Sequence, residues 1–296
     1  DKIADTTSFG SKRLFTEASG SLVDTTERDL VKGLQKTWLA ESEQIIFDEF
    51  GLKGKGTLKI DFEYVDGAGG TAAYVQSAFN APTSEATAQV MVIDLGDYNS
   101  SSAIHKDDAG DLALNEVILH EMVHATQAAN FEEWANIPIW FKEGSAEVIR
   151  GADERLATDI ANLTTDAIFN ELDNNWEADT TSNPTTGLEI AAVYSGGYVV
   201  LRYLNDELGG SGIQDLNTEL ANGATFDAAL QTVSSGKWTG EADLFTELGG
   251  AAVDTATYNS VFAEYVGTQM DLTNVDNGAL GGEDADEGVQ RFNTMQ

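Results

Sequence analysis

The chain has 296 residues, enough for one large domain or two small ones around a real core. Its 16 Lys+Arg against 50 Asp+Glu leave a formal net charge of −34, which repels nucleic acid and anionic membranes and excludes both as partners. It has no cysteine, which excludes disulfides, thiolate catalysis and Cys-ligated zinc. The acidity fits a secreted protein in a saline medium, where screening relieves self-repulsion, and equally fits simple solubility. No apolar run approaches the roughly 20 residues needed to span a bilayer. The chain opens on polar "DKIADTTSFG", without signal peptide or initiator Met, and reads as a fragment or processed product.

Residues 1–24 are polar and rich in Ser, Thr and Gly. From Thr26 to Phe50, Leu30, Leu34 and Trp38 recur every four residues, followed by Ile45, Ile46 and Phe50. That spacing predicts a helix capped by Thr26 with Asp29 and stopped at Gly51. "TLKIDFEYV" (57–65) alternates as a half-buried strand. "DGAGG" (66–70) is a turn, and "TAAYVQSAF" and "TAQVMVIDL" are further strands. The loop "GDYNSSSAIHKDDAG" leads into a helical half. Helices are predicted at "DLALNEVILHEMVHATQAA" (111–129) and at "IPIWFKEGSAEVIRG" (137–151), the second with Pro138 before its first turn and Gly151 at its end. Others are predicted at 153–175, 188–208, 211–222, 226–233 and 257–271. The tail "NVDNGALGGEDADEG" reads as loose. Strands first and helices after predict an α+β fold.

The chain has three histidines, and two of them, His120 and His124, stand four residues apart with Glu121 after the first. On a helix, i and i+4 lie about 40° apart around the axis and about 6 Å along it. Both imidazoles can therefore reach one metal ion. Glu121, turned about 100° from His120, can serve as a general base without being a ligand. Two histidines that merely share a face are the blander alternative. Leu112, Leu114, Val117 and Ile118 weigh against it, because they mark a buried helix in which unpaired imidazoles are costly. A catalytic zinc site needs a third protein ligand. Glu143, after 18 intervening residues and on the next predicted helix, is the candidate. Glu147, one turn further, could accept the second N–H of a ligand histidine; the alternative is a solvated helix glutamate.

HExxH, 18 residues and the Glu of W-F-K-E-G resemble the gluzincin metallopeptidases, whose segment commonly reads W-L-x-E-G. "YSGGYVVLRYLNDELGG" (194–210) resembles the gluzincin segment Y-x-x-G-x-x-x-x-x-Y-L, whose first Tyr hydrogen-bonds the oxyanion; Tyr194 holds that position. Phe141 replaces the usual Leu. The resemblance covers roughly residues 85–210. It implies a thermolysin-like fold: a small, mostly antiparallel or mixed sheet, then a helical subdomain, with the active-site cleft between. It implies one catalytic Zn²⁺ held by His120, His124 and Glu143, with Glu121 and Tyr194 catalytic and Glu147 behind the ligands. No recognition motif for a free amino terminus is evident, so an endopeptidase acting on proteins and peptides is implied.

"DKIADTTSFGSKRLF" (1–15) is similar to the flagellin stretch I-x-x-I-A-x-T-T-x-F-x-G-x-K-L-L. With "HEMVHATQAANF…WFKEGSAEVIRGADERL", this resembles the flagellinolysins, flagellins whose variable outer region is a zinc protease. The implied organisation is a flagellin-like flank at 1–20, a peptidase domain at 21–275 (sheet part 21–108, helical part 109–275) and an acidic tail at 276–296. The implied location is the extracellular surface of a filament, with other flagellin subunits as partners through core segments largely outside this chain. The rival reading is a catalytically silent structural domain of the filament.

His105 could touch substrate, though a surface histidine is the simpler reading. Trp140 is expected to pack beneath the site. "TAQVMVIDL" (87–95) could be an edge strand that pairs with substrate backbone, or an ordinary strand. The acidic runs "HKDDAGD" and "GGEDADEG" lack an EF-hand pattern and read as solvated loops rather than calcium sites.

Overall fold

Leu58, Ile60 and Phe62 are buried along one face of a strand, as their alternation predicts. The strand belongs to a computed structural model that describes residues 3–6, 12–16, 33–34, 38–63, 65, 70–79, 86–94, 96–97, 114–273 and 278–280. The chain divides into two compact units, Asp1–Glu132 with Arg291–Gln296, and Glu133–Gln290. Strands lie in the first and a run of helices fills the second, an α+β arrangement.

The first unit holds a five-stranded mixed sheet. Its strands are β1 (Ile3–Thr6), β2 (Lys12–Thr16), β3 (Thr57–Glu63), β4 (Ala73–Phe79) and β5 (Ala86–Asp94), in the order β1-β2-β3-β5-β4. β1–β2 and β4–β5 are antiparallel, whereas β2–β3 and β3–β5 are parallel. Ile60 stands opposite Met91 and Phe62 opposite Ile93, so the apolar pairs fall in register. Ile3–Thr6 and Lys12–Thr16, near the start of the chain, thus contribute strands to this sheet.

"TAQVMVIDL" is not an edge strand. β5 has β3 on one side and β4 on the other, so its backbone groups are already used. Met91, Val92 and Ile93 are all buried, the mark of a strand covered on both faces. Among the described strands, the edges are β1 and β4.

Among the described residues, two long helices accompany the sheet. α1 (Leu39–Phe50) buries Leu39, Ile46 and Phe50 and ends at Gly51, where φ of 70° is the left-handed turn that glycine adopts without strain. Gly51 N–H donates to Phe47 O at 2.9 Å. Leu34 and Trp38, part of the same predicted helix, are buried; 26–32 and 35–37 lie outside the described residues, as does Tyr64. α2 (Leu114–Asn130) is buried on nearly every side, as the apolar residues before the histidines predict. Gln89 of β5 donates to Ala125 O at 2.8 Å, and Asn130 bridges Thr126 O and Lys53 O at 2.7 and 2.9 Å, which ties α2 to the rest of its unit.

In the second unit a 3₁₀ turn (Trp134–Asn136) leads to α3 (Ile139–Arg150), which starts after Pro138 and stops at Gly151 as predicted. The helix predicted at 153–175 is two helices, α4 (Asp153–Asn162) and α5 (Thr165–Glu171), then a π-helical turn (Leu172–Trp176). Leu163 is extended, and the Thr164 side chain caps α5 by accepting from Ala167 N–H, so the break is a new helix start. The segment predicted at 188–208 is α6 (Gly187–Ala191), a π-helical turn (Ala192–Gly196) and α7 (Gly197–Leu208), opened by a Thr186/Glu189 capping box. α8 (Gly212–Ala221) and α9 (Phe226–Val233) fall where expected, and the helix predicted at 257–271 is α11 (Val261–Gln269). α10 (Glu241–Leu248) was not anticipated, although Leu244, Phe245 and Leu248 bury one face of it.

The tail is not loose throughout. Leu280 N–H donates to Val148 O at 2.7 Å, and Gly278 O accepts from Tyr198 Oη and Arg202 Nη1 at 2.9 and 2.6 Å. Ala279 and Leu280 are buried, so this short apolar run inside an acidic stretch is anchored by packing. Among the described residues no helix is long and apolar enough to cross a membrane.

Candidate metal centre

His120, Glu121 and His124 sit mid-way along α2, whose apolar surroundings leave His120 and Glu121 buried and His124 partly exposed. The Nε2 atoms of the two histidines are 3.1 Å apart, and their rings stand nearly perpendicular at 80°. Two nitrogens at about 2.05 Å from a tetrahedral zinc would lie about 3.3 Å from one another. The observed spacing is close to that value. A plain imidazole–imidazole hydrogen bond would also place them so. Among the described residues, His120, His124 and Glu143 are the one group of three or more His, Asp or Glu side chains that could hold a metal, their ligand atoms all within 4.8 Å of one another. Two imidazoles and a carboxylate are a donor set that zinc accepts, and no thiolate is needed.

Glu143 is aimed by the packing of α3. Trp140, Phe141, Val148 and Ile149 bury the other faces of that helix and leave Glu143 partly exposed. Trp140, wholly buried, meets the Phe226 and Phe245 rings edge-on at 5.5 Å each, and its indole N–H donates to Glu241. Burial pushes the Glu241 carboxyl up to about 7, against hydrogen bonds from Trp140 and from Ala178 N–H that favour its charged form. Burial likewise pulls the Lys142 ammonium down to about 8, with Glu143 and Asp179 opposing.

Glu147 is buried on the same helix. Its carboxylate accepts from Arg150 Nε and Nη2 at 3.0 and 2.7 Å, and Arg155 Nη1 stands 3.8 Å away. It is therefore no solvated surface glutamate.

Tyr194 lies in the π-helical turn between α6 and α7, half-buried. A π turn inserts one extra residue per turn and so re-aims a side chain relative to the helix around it. The Arg155 guanidinium covers its ring at 4.6 Å. Two glycines let α3 and α7 meet. A Cβ on Gly144 would lie 2.5 Å from the Gly197 carbonyl carbon, and one on Gly197 would lie 2.4 Å from Trp140 O. This contact places the segment that carries Tyr194 against the helix that carries Glu143.

His105 and the runs at 105–111 and 281–288 lie outside the described residues. Arg155, Glu241, Gly144 and Gly197 were not singled out from the sequence. The G-G of "YSGGY" and the Gly of "KEGS" were the available hint, since glycines inside helices mark close approaches.

Among the solved structures to which this chain is similar are two of low identity. Aminopeptidase A of Legionella pneumophila, in complex with aspartic acid, is 18% identical over 83% of this chain and 27% of that one, with a TM-score of 0.46. An M1 zinc metallopeptidase from Deinococcus radiodurans is 15% identical over 83% of this chain and 51% of that one, with a TM-score of 0.42. The chain thus spans about a quarter and about half of their lengths. No family model and no curated protein matches it.

Proposed function

We propose that the protein is a zinc-dependent endopeptidase, with His120, His124 and Glu143 as the ligands. The observation that carries this reading is the convergence of those three side chains, whose ligand atoms lie within 4.8 Å of one another. Zinc, when bound, supplies Lewis acidity toward a scissile carbonyl. Glu121 takes a proton from the attacking water and later passes it to the leaving amine. Tyr194 donates to the carbonyl oxygen as that oxygen gains negative charge. Glu147 orients a ligand histidine by accepting its second ring N–H, and the bidentate Arg150 contact fixes that carboxylate.

The test is cleavage of a peptide library with and without a chelator, including peptides blocked at the amino terminus. Chelator-sensitive internal cleavage of blocked peptides is expected. No cleavage by zinc-loaded protein would favour a silent structural domain, and cleavage confined to free amino termini would make it an aminopeptidase.

The domain's place is proposed as the outward face of a flagellar filament, with flagellin subunits as neighbours. The similarity of residues 1–15 to flagellin supports this, and the acidic, Cys-free body is compatible with the medium outside a cell. Antibodies to residues 50–270 should label intact flagella; absence of label would refute the placement.

A further inference from the structure

The stack of Arg155 on Tyr194 is built into the second unit from both sides. Arg155 is the third residue of α4. At the start of that helix Asp153 accepts from Tyr198 Oη at 2.8 Å, and further along it Asp159 accepts from Ser195 Oγ at 2.5 Å. These two bonds join α4 to the residues that surround Tyr194, one at its neighbour Ser195 and one a turn further on. Between them the Arg155 guanidinium carbon lies 4.6 Å from the centre of the Tyr194 ring. Nη1 of the same guanidinium lies 3.8 Å from Glu147 Oε2, an oxygen that already accepts from Arg150 at 2.7 Å. Arg155 therefore stands between the buried Glu147–Arg150 pair and the phenol.

The two flanking hydrogen bonds tie α4 to this segment by contacts separate from the stack. What it adds is local. A planar cation over one face of a ring in a π turn limits the ring's rotation. It also lies where a lysine's point charge would not lie flat.

We infer that Arg155 is a positioning residue for Tyr194: its guanidinium, drawn toward Glu147 and stacked on the ring, holds the phenol in the orientation from which it donates to substrate. This rests on the proposed role of Tyr194 in peptide hydrolysis.

The experiment is a cycle of Arg155→Met and Tyr194→Phe in zinc-loaded protein, with Arg155→Lys as the conservative variant. Arg155→Met should lower kcat about tenfold, on the scale of a partly desolvated cation–π contact, and leave KM and zinc content unchanged. In the Tyr194→Phe background it should lower kcat no further, and Arg155→Lys should recover part of the loss. An equal loss in both backgrounds, a change in KM alone, or no loss would overturn the inference. Wild-type turnover by Tyr194→Phe would remove both residues from the reaction and leave the zinc chemistry standing. A second readout does not need turnover: ¹⁹F spectra of zinc-free protein made with 3-fluorotyrosine, in which the signal lost in Tyr194→Phe is that of Tyr194. Arg155→Met should shift or broaden that signal. An unchanged signal would overturn the inference even if the protein proves to hydrolyse nothing.

Discussion

The Nε2 atoms of His120 and His124 lie 3.1 Å apart on adjacent turns of α2, close to the spacing that one tetrahedral zinc would impose. One tight Zn²⁺ per chain is therefore expected, and His124→Ala should abolish its binding. Elemental analysis after dialysis against zinc checks both. Wild type that takes up no zinc would defeat the assignment.

Glu121 is buried next to His120 and is not among the three residues grouped as able to hold a metal. Glu121→Gln removes proton transfer while keeping the shape of the side chain. Zinc content and melting temperature should stay near wild type, and kcat should fall by on the order of 10²- to 10⁴-fold. Normal turnover in the zinc-loaded variant would show that the base is another group.

On the proposed mechanism Tyr194→Phe removes one donor to the developing oxyanion, so kcat should fall by on the order of 10²-fold with little change in KM. A tyrosine that only packed α7 would give the opposite result, lower stability with near-normal kcat. Measuring kcat, KM and thermal stability on one preparation separates the two.

Glu241 has a pH signature of its own. Its carboxyl titrates near 7 in the folded chain, raised from an ordinary 4.5 chiefly by burial. Between those values the folded state holds a proton that the unfolded state lacks. The group's stabilisation is therefore fully present below about 4.5 and is lost as pH rises through about 7, roughly 3 kcal/mol at most. Glu241→Gln keeps an oxygen to accept from Trp140 and Ala178 but never ionises. Relative to wild type it should gain melting temperature progressively between pH 5 and 8, with the difference levelling off above that. A constant difference across the range would count against titration of this group.

Gly197→Ala should be costly, because the new Cβ would meet the Trp140 carbonyl oxygen at 2.4 Å. Overpacking against backbone costs about 1–3 kcal/mol, and the displaced Tyr194 segment should lower kcat as well. Gly187→Ala, with nothing within 4 Å of its Cβ, is the control and should be near neutral. Equal melting temperatures for the two variants would mean that α3 and α7 can separate without cost.

What could be read from the chain alone was mainly what lies within a single element. His120, Glu121 and His124 share one helix, so a fixed 3.6-residue turn already places the two ligands on one side with the glutamate beside them. The same locality explains why the alternation of β3, the Gly51 stop and the Pro138 and Gly151 bounds of α3 agreed with the structure. Glu143 came from motif spacing, and it is one of the three residues grouped as able to hold a metal.

Tertiary structure decided whatever depends on residues distant in sequence. Strand order is one case: nothing inside "TAQVMVIDL" says that β3 and β4 flank it, because pairing partners are chosen by the whole sheet. The anchoring of Gly278–Leu280 by Tyr198, Arg202 and Val148 is another. So is the buried pairing of Glu147 with Arg150, which a period of 3.6 allows but burial alone makes firm. The stack of Arg155 on Tyr194, 39 positions apart in sequence, left no local trace at all. Helical period and capping are short-range steric and hydrogen-bonding rules that each segment obeys by itself. Contacts between segments are fixed only when the shared core is packed.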